Sequence, residues 1–266
     1  IFNGENIDST YNNVTDEDYE FIAPEAQILI VDDNSVNLTV AEGLLKPLLL
    51  QIDTATSGKE AIKMISIKHY DLIFMDHMMP DLNGIETTHI IRRFHKEYET
   101  VPIIAFSANS STEMEMMFLN EGLNDSVGKP FELRMLISKL KRWLPKEKMQ
   151  KISNHHSPAP AEAEAEPQPS IQIEGLDTAA ALKLIGSEKL LWDVLRDYYR
   201  VIRKKAEKIH ALEQQEDWKN YTILIHAVKS TSLNIGAKDL SDKAKALEAA
   251  GREEDESFLL KNHDRM

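Results

Sequence analysis

The 266-residue chain contains no cysteine. Disulfide frameworks, thiolate nucleophiles and cysteine-ligated zinc are therefore excluded, and a reducing cytosol suits such a composition. No apolar run is long enough to span a bilayer, and no secretory leader is visible. Nothing resembles a phosphate-binding P-loop or the asparagine- and glycine-rich boxes of an ATP-binding kinase module, so the chain is not expected to use ATP. Residues 1–27 hold no Lys or Arg. The formal net charge of -13 argues against nonspecific binding to nucleic acid or to an anionic membrane. The chain begins at Ile1 rather than Met. It is read as a cytoplasmic piece of a longer protein whose remainder is free to carry a membrane anchor.

What is present divides into four stretches. Residues 1–26 are polar and acidic and read as a linker or tail. From Gln27 to residue 145, short apolar runs alternate with helical patterns. The runs are Ile28–Val31, one at Ile52, Leu72–Met75, Ile103–Phe106 and a weak one at Val127. The helical patterns are Val36–Leu48, Gly58–Ile67, Gly84–Phe94, Thr112–Asn120 and Phe131–Trp143. Such alternation implies an α/β unit with a mostly parallel sheet covered on both faces. Residues 146–170 are dominated by Pro, Ala and Glu and read as a linker. About twenty such residues reach roughly 25 Å as a flexible coil. After Ile171 only helical periodicity remains, near Asp177–Ile185, Glu188–Leu212, Asp217–Ile235, Ala237–Ala250 and from Glu253 onward, which implies an antiparallel bundle over 171–266.

Several chemistry-bearing residues fall at strand ends. Asp32 and Asp33 follow the first strand, Asp76 closes the third, Ser107 closes the fourth, and Lys129 follows the fifth. Transfer of a phosphoryl group to a carboxylate needs a nucleophilic acid, a divalent cation, a hydroxyl donor and a fixed positive charge. Asp76 suits the nucleophile. Asp33, helped by Asp32, suits Mg²⁺, which prefers oxygen ligands. Ser107 suits the hydroxyl donor and Lys129 the point charge. A lone Asp at a strand end is most often a cap or turn residue. Asn34 or Asp33 could cap the helix after the first strand, and Asp81 or Asn83 the one after the third; Asp81 and Asp53 are read as structural.

The second candidate lies in WKNYTILIHAVKSTSLNIGA. Trp218, Tyr221, Ile225, Val228, Ser232 and Ile235 make one apolar stripe. His226 lies about 120° from the stripe's centre and is expected to face solvent. Lys229, three residues on, is within reach of a group carried by the imidazole, and Ser230 is small enough to admit an approaching domain. Gly236 suits the helix end.

Residues 26–145 resemble the receiver domains of response regulators. The resemblance rests on the acidic pair in ILIVDDNSVN, the acceptor in LIFMDHMMPDLNGIE, the hydroxyl in PIIAFSAN and the lysine in GKPF. It implies a flavodoxin-like fold with strand order 2-1-3-4-5. It also implies the backbone carbonyl of Met78 as a further metal ligand beside Asp32, Asp33 and Asp76, and a cis bond at Lys129-Pro130. One departure is Ser126, where receivers commonly place Tyr or Phe as a rotating switch. The segment HAVKSTSLNIGA resembles the histidine phosphotransfer motif, which implies a four-helix bundle over roughly 174–266 with His226 as phosphoryl carrier. The order of the two units is similar to the C-terminal part of hybrid sensor histidine kinases. The implied partners are an upstream histidine kinase domain in the same parent chain and the receiver of a downstream response regulator. The receiver would catalyse its own phosphorylation with Mg²⁺. Two alternatives are a docking scaffold with a degenerate receiver, and a phosphatase of the haloacid dehalogenase type. The Asp32-Asp33-Asn34 run lacks the Asp-x-Asp spacing of the latter.

Overall fold

A computed structural model describes residues 20–107, 111–152 and 171–263. Five parallel strands form one sheet: β2 (Gln27–Val31), β3 (Gln51–Ala55), β4 (Leu72–Asp76), β5 (Ile103–Ser107) and β6 (Asp125–Gly128). Their order is β3-β2-β4-β5-β6. Counted along these five strands, that is 2-1-3-4-5, the flavodoxin-like order.

Side chains alternate across each strand, so a sheet covered on both faces needs two apolar sets. Ile28, Ile30, Phe74 and Phe106 face α1 (Ser35–Leu45) and α5 (Leu133–Trp143). Leu29, Val31, Ile73 and Met75 face α2 (Gly58–Ile65), α3 (Gly84–Phe94) and α4 (Thr112–Asn120). Every residue of β4 and β5 is buried. Caps fix the helix starts: Asn34 accepts from the Val36 amide, and Asn83 forms a capping box with Glu86. Asp53 accepts from Lys68 and Tyr70, the structural role expected of it.

Two stretches assigned from composition to the tail and the linker belong to the folded unit instead. β1 (Phe21–Ile22) pairs antiparallel with β7 (Gln150–Lys151). Phe21, Ala23 and Ala26 are buried, and Lys148 donates to Asp71 at 2.7 Å. The remainder of both stretches, 1–19 and 153–170, lies outside the described residues.

The helical half comprises α6 (Thr178–Ile185), α7 (Glu188–Gln214), α8 (Trp218–Asn234), α9 (Lys238–Arg252) and α10 (Glu256–Asn262). Asp177, Ser187, Asp217 and Asp255 each cap a helix start. Tyr221, Ile225 and Val228 of α8 pack against Ala244 and Leu247 of α9. The bundle rests on the α/β unit: a continuous apolar cluster runs from the sheet through α1 into Ile185, Leu191 and Val194. Among the described residues, no helix is long and apolar enough to cross a membrane.

The turn between α8 and α9 holds the bundle to its first helix. Gly236 has φ +79°, and a Cβ there would lie 2.2 Å from the Asp177 carbonyl oxygen. The Asp177 amide in turn donates to the Gly236 carbonyl at 2.9 Å. Gly236→Ala combines a left-handed backbone with a backbone clash. It is expected to lower unfolding free energy by about 1–3 kcal/mol, measured by urea denaturation.

Candidate functional site

The strand order reverses between β2 and β4, and the crevice at their carboxyl ends is where an open parallel sheet binds ligands. Asp32 and Asp33 leave β2 there, and Asp76 ends β4. The three carboxylates offer oxygens all within 4.8 Å of one another. Lys129 Nζ lies 2.6 Å from Asp32 and 2.8 Å from Asp76, with all three side chains almost fully buried. Burial alone would lower the lysine's pKa, but the two carboxylates outweigh it and raise it. Asp32 also accepts from the Asn34 amide at 3.0 Å and from Asn37 Nδ2 at 3.1 Å. Met78 donates its amide to Asp76 at 3.2 Å.

Ser107 is buried at the end of β5, and the Lys129 amide donates to its carbonyl at 2.7 Å. The Lys129-Pro130 bond is cis. Tertiary structure thus gathers Asp32, Asp33, Asp76, Met78, Ser107 and Lys129 at one edge. Three crowded carboxylates beside one lysine leave an excess of negative charge on hard oxygen donors, which fits a small divalent cation such as Mg²⁺. Asp33 carries the strain most visibly. Burial, then repulsion from Asp32 and Asp76, pushes it up to about 7, against the pull of Lys205 and Lys129.

His226 corrects the expectation of a solvent-facing imidazole: it is 1% exposed. It is not sealed by its own bundle alone. Its ring meets the ring of His77, the residue after Asp76, edge-on with centroids 5.9 Å apart. A helical period identifies an arc without a core partner, but it does not distinguish water from another folded unit on that arc. Around it, Asn34 Nδ2 donates to the Ala227 carbonyl at 3.3 Å and Asn234 Nδ2 to Asn37 at 3.3 Å. Thr39 of α1 donates to Asp197 of α7 at 2.7 Å. Ser230 is buried here too. Beside this contact a cleft of about 850 Å³ remains open, lined by His77, Met78 and Asp81 on one side and Trp218, Asn220 and Arg252 on the other.

Three residues not assigned a role from sequence, Glu248, Arg252 and Lys205, shape the site, together with His77, which follows Asp76 and is expected from sequence at the rim. Glu248 of α9 accepts from His226 Nδ1 at 2.8 Å, from Lys229 Nζ and from Arg252 at 2.6 Å. Burial would raise its pKa, but the hydrogen bond from His226 and the Lys229 ammonium hold it well below the usual carboxylate range. Nδ1 thereby carries a proton toward Glu248, which leaves Nε2 as the nitrogen turned away from that carboxylate. Nε2 has no hydrogen-bond partner among the described residues. Arg252 also donates to the Met78 sulfur at 3.2 Å. Lys205 of α7 brings positive charge to Asp33 and Asp32 from across the contact. His77 bonds the Phe106 carbonyl through Nδ1 at 2.9 Å, and burial pushes it down to about 3, so the ring is neutral. In sequence, Glu248 is one acid in an alanine-rich helix, and nothing local marks it.

Asp33 gives a measurable pH dependence. Its folded pKa lies above its unfolded value, so the folded state binds the extra proton. Its contribution favours folding at low pH and is lost as pH rises from about 4 toward 7. Without divalent cation, the urea stability of wild type minus that of Asp33→Asn is expected to fall across this window. Added Mg²⁺ is expected to offset the loss at pH 7.5.

A family model described as the response regulator receiver domain matches residues 28–141. The CAI-1 autoinducer sensor kinase/phosphatase CqsS of Vibrio cholerae is 32% identical over 120 residues, which is 45% of this chain and 18% of that protein. The aerobic respiration control sensor protein ArcB of Escherichia coli K12 is 23% identical over 234 residues, which is 88% of this chain and 29% of that protein. The chain thus spans under a third of either relative. Among solved structures, the receiver domain of sensor histidine kinase PA1611 from Pseudomonas aeruginosa, with magnesium coordinated in its active site cleft, is 36% identical. That match covers 44% of this chain and 96% of the other, with a TM-score of 0.41. Through residues 28–141, this chain belongs to the response regulator receiver domain family of two-component signalling.

Proposed function

We propose that this chain carries two consecutive steps of a phosphorelay: Asp76 accepts a phosphoryl group from an upstream phosphohistidine, and His226 then takes it from Asp76 and passes it to a downstream receiver. The observation that carries this reading is the unpartnered Nε2 of a carboxylate-oriented imidazole, buried beside the residue that follows Asp76.

In the first step an Asp76 oxygen attacks phosphorus, and the bond to the donor imidazole nitrogen breaks. Asp32, Asp33, Asp76 and the Met78 carbonyl would hold Mg²⁺, which when bound neutralises charge on the transferring group. Lys129 sets a fixed positive charge beside Asp76, and the Ser107 hydroxyl would donate to a phosphoryl oxygen. In the second step His226 Nε2 attacks, and the Asp76 oxygen leaves as a carboxylate. The Nδ1 proton stays in its bond to Glu248, whose negative charge stabilises the ring as it becomes cationic. Lys229 and Arg252, both held by Glu248, place positive charge near the incoming phosphoryl oxygens.

The docked bundle covers the face that an upstream donor must reach. The same docking buries the Nε2 that a downstream receiver must reach. The relay therefore needs undocking on either side of the internal transfer. A linker of this composition gives effective concentrations of order millimolar between the two halves.

Acetyl phosphate with Mg²⁺ should add one phosphoryl group to wild type, distributed between Asp76 and His226, by mass spectrometry. Asp76→Asn should gain none, and His226→Gln should hold it on Asp76 alone. No gain on wild type would end the relay reading in favour of a scaffold. Gly43 of α1 faces Leu190 of α7, and a Cβ at Gly43 would lie only 2.3 Å from that side chain. Gly43→Arg is expected to leave phosphorylation of Asp76 intact and slow its transfer to His226 tenfold or more, followed by rapid quench. Glu248→Ala should slow the same transfer by roughly 10- to 100-fold, with Asp76 labelling unchanged.

A further inference from the structure

Outside the acidic edge of the sheet, one other cluster of metal-ligating side chains occurs among the described residues: His210, Glu213 and His263, whose ligand atoms lie within 4.8 Å of one another. His210 and Glu213 are three apart on α7 and so share a face. His263 caps the C-terminus of α10 and comes to that face from the end of the bundle. We propose that these three residues form a site for a divalent transition metal of the zinc class, which fastens α10 onto α7.

The donor set suits that class. Two imidazoles and one carboxylate satisfy Zn²⁺ with one position left for water, whereas Mg²⁺ and Ca²⁺ prefer all-oxygen sites. The geometry is close to what the ion needs. Two ligands at about 2.1 Å and a tetrahedral angle stand roughly 3.4 Å apart. His210 Nδ1 and Glu213 Oε2 are 3.6 Å apart. The rings of His210 and His263 lie nearly parallel, with centroids 5.8 Å apart. Closing the last gap takes side-chain rotation at partly exposed positions, not a backbone shift.

The surroundings orient the ligands. Tyr221 of α8 places its hydroxyl 3.1 Å from His263 Nδ1. Burial, with the charge of Glu213, pushes the phenol up to about 12, so it keeps its proton at neutral pH. By accepting from Nδ1–H it leaves His263 Nε2 free to ligate, the usual way a neighbour fixes the tautomer of a metal-binding histidine. Gln214 lies 3.0 Å from His210 Nε2, which leaves His210 Nδ1 on the Glu213 side. Ligation through Nδ1 moves the ring proton to Nε2, where the Gln214 amide can turn its oxygen to accept it. The bland alternative is an aromatic stack of two histidines and a tyrosine that packs a helix end and takes no metal.

The test uses the untagged full chain, stripped with EDTA and held in excess Mg²⁺ to occupy the acidic edge. Zn²⁺ is titrated by calorimetry, and Co²⁺ is followed by its visible absorption. Wild type is expected to bind one Zn²⁺ equivalent at micromolar concentration, give intense tetrahedral Co²⁺ bands and gain several degrees in melting temperature. His210→Gln and His263→Ala should each lose all three responses. A chain with both His155→Ala and His156→Ala should keep them. The proposal fails if wild type takes up no Zn²⁺, if the His210 and His263 variants bind as wild type does, or if only the linker double variant loses binding. None of these outcomes depends on the relay, which acetyl phosphate labelling tests separately.

Discussion

Three carboxylates are pressed together at one end of a parallel sheet with a single buried lysine to hold them. Buried charge is costly unless paired, and Lys129 pairs directly with only Asp32 and Asp76. Asp33 has no such direct partner, and burial first, then repulsion from Asp32 and Asp76, raises its pKa. Much of the local structure is arranged to tolerate the excess. Asn37 and the Asn34 amide saturate Asp32, and the amide of Met78 supports Asp76. A cation-sized demand for positive charge remains, and the charge of Lys205 from the helical half already acts on Asp33 and Asp32.

The helical half answers with a second charge arrangement of opposite design. There one carboxylate, Glu248, gathers an imidazole, an ammonium and a guanidinium. That surplus of positive charge faces an edge with a surplus of negative charge, so the two halves are electrostatically complementary before any phosphoryl group is present. The contact is polar and specific where Asn34, Asn37 and Thr39 each bond across it, and apolar where α1 meets α7.

In the proposed relay, such a closed arrangement would shorten the internal transfer and keep water from an acyl phosphate on Asp76. It also keeps His226 covered until something separates the halves. A contact built from a few hydrogen bonds and one apolar helix face is of the kind that opens and closes readily within a chain.

The alternation of apolar runs and helical periods is enough to place every strand of the main sheet and nearly every helix, because burial on both faces dictates that pattern locally. Strand-end positions of Asp32, Asp33, Asp76, Ser107 and Lys129 are legible for the same reason, whereas the caps are legible only as the pairs Asp33 or Asn34 and Asp81 or Asn83, of which the structure uses Asn34 and Asn83. The short β1–β7 pair leaves no trace in the pattern, since two-residue strands carry no period. Glu248, Arg252 and Lys205 are illegible as site residues because each acquires meaning only from what packs opposite it. His226 is legible as chemistry, but its burial is not. A helix records in sequence which of its faces meets its own core, but the partner on its remaining face is chosen by how whole units dock, and that is a property of shape and charge assembled in three dimensions.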